Sequence, residues 1–66
     1  MKVEYDQKAD AMYIRLRSGV VAQTDEVRPG VMLDMDASGN ILGIEMLDVS
    51  QCTDNPRELA MELIES

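Results

Sequence analysis

The stretch Val31–Leu47, VMLDMDASGNILGIEML, constrains this chain more than any other. Two apolar runs flank a polar, glycine-containing turn, the pattern of a β-hairpin closed by a loop of about four or five residues. Val31, Leu33 and Met35 alternate with Met32 and Asp34; Leu42, Ile44 and Met46 alternate with Gly43, Glu45 and Leu47. Side chains two apart share a sheet face, so each arm carries one apolar face and one more polar face. Asp36-Ala37-Ser38-Gly39 suits a type I turn ending in a left-handed residue. Asp bonds its own backbone there, and Gly takes positive φ without a Cβ clash. Matching the apolar faces puts Asp34 and Glu45 together on the outer face.

The segments before the hairpin read as strands. Lys2–Asp6 alternates polar and apolar residues, and Gln7–Asp10 is a short connection. Ala11–Arg17 puts Met12, Ile14 and Leu16 on one face and Tyr13, Arg15 and Arg17 on the other. After Ser18-Gly19, Val20–Val27 is a third strand diluted by Gln23, Thr24, Asp25 and Glu26, fit for an edge or a bulge. Pro29-Gly30 turns the chain into the hairpin.

Beyond Leu47 the alternation stops, and Asp48–Asp54 reads as a polar linker. Asn55-Pro56-Arg57-Glu58 has the make-up of a helix start, with Asn as N-cap and Pro at the first helical position. Pro56, Leu59, Ala60, Leu63 and Ile64 then form one helical stripe. The expected fold is a single α+β domain over residues 1–66, an antiparallel β-meander of five strands. One C-terminal helix is packed on one face of it, and the other face is open, as antiparallel sheets allow.

Size and composition exclude several functions. A chain of 66 residues is marginal as an isolated fold. Such chains often recruit a metal, a disulfide or a second subunit. Cys52 is the single cysteine, so no internal disulfide forms. It reads as a small, partly buried residue near the helix start, and with no His in the chain a nucleophilic role lacks its usual base. The net charge of −7 repels phosphate backbones and anionic lipid, arguing against nucleic acid and membrane as partners. Two tyrosines are too few for a base-stacking platform. No apolar run approaches a membrane span, and Lys2 is followed by no signal-peptide core, so a cytoplasmic location is expected.

Two constellations merit attention. Asp34, Asp36, Ser38, Gly39 and Glu45 fall at the ligand spacing of a calcium-binding EF-hand loop. That loop lies between helices, whereas both flanks here read as strands, so the expectation is a hairpin turn and no cofactor; the alternative is a small-ligand or calcium-binding domain that uses Asp34, Asp36, Ser38 and Glu45. Tyr13, Arg15, Met32, Asp34 and Glu45 together make the candidate open face. As a solvated surface they would form only weak cross-strand pairs. As a contact surface they fit a second copy of the chain, or another protein, because Tyr and Arg anchor interfaces and a self-complementary patch needs both signs of charge. Paired carboxylates such as Asp34 and Glu45 show no burial that would separate their pKa values, so catalysis is not expected.

Tyr5-Asp6, Asp10-Ala11 with Tyr13-Ile14, Leu33-Asp34 with Asp36, Gly39, and Gly43-Ile44-Glu45 with Leu47 fall in an order that resembles a small bacterial family, domain of unknown function 2283. The likeness runs from Lys2 to about Ser50 and departs at Met35, where an aromatic is expected. It implies a small α+β fold and no established activity, and it carries no catalytic residues over to this chain. For some such proteins it suggests an antitoxin-like role, compatible with an acidic chain that neutralises a basic partner.

Overall fold

The structure is a computed structural model that describes residues 1–55. Five strands form one antiparallel sheet: β1 (Lys2–Asp6), β2 (Ala11–Arg15), β3 (Gln23–Arg28), β4 (Val31–Met35) and β5 (Ile41–Met46). Their spatial order is β1-β2-β5-β4-β3. The β4–β5 hairpin forms where the sequence predicts it, with Gly39 at φ 87°.

Two expectations are corrected. The sheet is not a simple meander, because β2 pairs with β5 and not with β3. The reason lies in the side chains. Pairing β2 with β5 sets Met12 opposite Met46 and Ile14 opposite Ile44, which buries apolar surface in the middle of the sheet. The β3 sequence QTDEVR offers nothing comparable; it is exposed throughout and lies at an edge. It also starts at Gln23 instead of Val20, leaving Val20 84% exposed. The second correction concerns class. The described residues are an antiparallel sheet with one 3₁₀ turn, Val49–Gln51, and no packed α-helix is present among them, so the α+β expectation is overturned. Val49, within that 3₁₀ turn, is wholly buried against Met12 and Ile14 on the apolar face. The helical stripe expected from Pro56 to Ile64 lies outside the described residues.

The apolar face therefore closes on a segment that reads as a linker. Val3, Tyr5, Ile44 and Met46 pack around the Met12–Ile14–Val49 cluster. Asp10, at φ 52°, fastens the turn: its carbonyl accepts from Val49 N at 3.0 Å and its carboxylate from the Ser50 hydroxyl at 2.6 Å. Cys52 is exposed, not partly buried. Leu42 is buried apart from this cluster, in a β5 bulge where Asp34 pairs with Gly43 and Met35 with Ile41. Its carbonyl takes two N–H groups, from Leu16 and Arg17, and tethers the crossing connection from β2 to β3. Gly19 lies against the Leu42 side chain, where a Cβ would sit 2.9 Å from Cδ2.

Candidate functional site

The register brings all five residues of the expected open face together. Tyr13 pairs with Glu45, Glu45 with Met32, and Asp34 with Gly43, which in turn pairs with Arg15. These positions alternate with the core-facing Met12, Ile14, Leu33 and Ile44, so they share the opposite face.

A hydrogen-bonded line crosses this face. The Tyr13 hydroxyl donates to Asp34 Oδ2 at 3.0 Å, and the Thr24 hydroxyl donates to Asp34 Oδ1 at 2.7 Å. Four strands are joined in this way: β2 through Tyr13, β5 beneath the ring, β4 through Asp34 and β3 through Thr24. Tyr13 reaches Asp34 diagonally only because β5 has Gly43 in between. A Cβ at Gly43 would collide with the Tyr13 hydroxyl and lie 2.6 Å from Cζ. Arg15 stands over the ring, with its guanidinium carbon 5.7 Å from the centroid, within reach of a cation–π attraction.

The electrostatics follow from that arrangement. Burial is the first cause that raises the Tyr13 pKa above 10.0, followed by its hydrogen bond to Asp34 and the Asp34 charge; Arg15 opposes them. A phenol that donates to a carboxylate keeps its proton. Each oxygen of Asp34 thus accepts one hydrogen bond on a half-buried surface, flanked by Glu45 and Arg15 of opposite sign.

Gly43 and Thr24 were not among the residues expected here. Gly43 had a legible signal, because a glycine inside a strand marks a bulge or a close approach. Thr24 had none, because its role depends on the register that sets it opposite Asp34, and the polar QTDEVR run carries no alternation to fix that register.

The calcium spacing is not a cage. Asp36 Oδ1 accepts from the backbone N–H groups of Ser38 and Asn40, and Oδ2 from the Asn40 amide, at 2.9–3.0 Å. Asp34 is engaged on the open face, and Glu45 lies along the strand opposite Met32. Among the described residues, no group of three or more His, Cys, Asp or Glu is arranged to hold a metal ion. The hydrogen bonds with Asn40 are the main reason that the Asp36 pKa is lowered from 3.8. Cys52, at the end of the 3₁₀ turn, is remote in role from this face; its thiol lies 3.8 Å from the Asp48 carbonyl.

A single antiparallel sheet with this cross-strand motif defines a small sheet domain. Residues 2–50 match the model of the protein family of unknown function DUF2283, and the chain belongs to that family. No curated protein and no solved structure matches it. No helix among the described residues is long and apolar enough to cross a membrane.

Proposed function

We propose that the chain is a protein-interaction module, and that its contact surface is the face bearing Tyr13, Arg15, Met32, Asp34 and Glu45. The observation that carries this reading is the Tyr13 ring, held over Gly43 by its bond to Asp34. An aromatic already fixed on an open face loses little side-chain entropy when a partner covers it. Its neighbours carry both signs of charge, which suits a two-fold pairing in which Arg15 of one copy meets an acid of the other. A homodimer is the simplest occupant. The −7 charge on each copy opposes association, so association should strengthen with moderate salt.

Sedimentation over a range of concentrations tests this. The mass should exceed that of the monomer, and Tyr13→Ala and Glu45→Lys should each shift the equilibrium toward monomer. A chain that stays monomeric at high concentration and moderate salt removes the homodimer.

A further inference from the structure

The basic side chains are few and unevenly placed. Of six Lys and Arg in the chain, Lys2, Arg15 and Arg17 line one depression of about 300 Å³ at the open end of the β1–β2 hairpin. Met1, Leu16 and Ser18 complete its wall. Lys2 and Arg15 are direct cross-strand partners, a like-charge pairing that costs stability. The fold only partly offsets that cost. Lys2 Nζ is 3.0 Å from Glu4, whereas Arg15 leans on the Tyr13 ring. Among the described residues, neither Arg15 nor Arg17 has a carboxylate within ion-pair distance. Arg17 acts on Asp36 only as the least of several influences.

We propose that this depression is an anion site for the phosphate group of a small phosphomonoester. Two guanidinium forks and an ammonium suit a group with several oxygens and a double negative charge better than a carboxylate. The volume, at the small end of the range of ligand pockets, exceeds that of phosphate alone. The exposed side chains of Met1 and Leu16 provide an apolar wall for the substituent. A bound dianion would also relieve the Lys2–Arg15 repulsion, so binding and folding stability rise together. The site does not depend on self-association, and Arg17 belongs to it alone, whereas Arg15 is shared with the contact face.

An amide-resolved NMR titration of the full chain tests the assignment. The probes are inorganic phosphate and methyl phosphate, with acetate and chloride at matched ionic strength. Saturable shifts confined to Lys2 and Arg15–Ser18 are expected with both phosphates, with methyl phosphate binding at least as tightly as phosphate. Arg17→Gln should weaken binding about tenfold, the loss expected for one charged hydrogen-bonding partner. Lys8→Gln removes the same charge from the turn at the other end of β1 and should leave affinity unchanged. Non-saturating shifts, equal response to acetate, or equal losses in the two variants would each overturn the site. Sedimentation in the same buffers reads self-association separately, so a phosphate-binding monomer refutes the dimer and not the pocket.

Discussion

The two faces of the sheet are held by different physics. One face is apolar and closes on Met12, Ile14 and Val49, of which Met12 is 1% and Val49 0% exposed. Its stabilisation is spread over area and has no strict geometry. The other face is organised by one hydrogen-bonded line, Tyr13 to Asp34 to Thr24, which exists only while Gly43 leaves room for a ring. Tolerance should differ accordingly: the first face should respond to lost volume, the second to added volume and to lost polar partners.

The largest effect is expected on the apolar face. Met12→Ala should cost about 2–5 kcal/mol by chemical denaturation, the range for a buried methionine that leaves a cavity. A cost near zero would mean that the small core is not what holds the sheet together.

Gly43→Ala comes next and acts in the opposite sense, by overpacking, at about 1–3 kcal/mol. It should be strongly non-additive with Tyr13→Ala, because without the ring nothing crowds the new methyl group. Additive costs in the double-mutant cycle would refute the arrangement of ring over glycine.

Tyr13→Phe removes one hydrogen bond, worth about 0.5–1.5 kcal/mol. Titration gives a second reading. Because folding raises the Tyr13 pKa from 10.0, the stability it contributes is fully present below pH 10.0 and is lost as the pH climbs through the raised value. Phenolate absorbance should show one tyrosine titrating late in the wild type, and that step should vanish in Tyr13→Phe.

The smallest effect is expected from metal removal. Excess chelator should leave the thermal midpoint unchanged, since the Asp36 carboxylate is occupied by its own turn. A large fall restored by calcium would mean that the turn is a cation loop after all.

What could be read from the residues was whatever depends on local alternation. Lys2–Asp6, the Asp36–Gly39 turn and the common face of Tyr13, Arg15, Met32, Asp34 and Glu45 all follow from a period of two and from turn chemistry. Strand order does not, because it is decided by which apolar faces match across a long separation. Val49 was missed for a related reason. One valine among Asp48, Ser50 and Gln51 has no periodic signal, and its burial depends on Asp10 holding the backbone from far away in sequence. The helix expected from caps and a stripe lies outside the described residues.

The strand order β1-β2-β5-β4-β3 also bears on how the chain folds. β1–β2 and β3–β4–β5 are each joined by short connections, so they can form as two independent units. They meet along one seam, β2 against β5, between residues about thirty positions apart. Tyr13–Asp34 and Asp10–Ser50 both span that seam. Closing it requires the largest loss of chain entropy, and bonds that tighten only after docking contribute little to the transition state. Tyr13→Phe should therefore speed unfolding and leave the folding rate nearly unchanged, whereas substitutions in the β4–β5 turn should slow folding. Equal effects of Tyr13→Phe on both rates would mean that the Tyr13–Asp34 bond is already partly made when the seam closes.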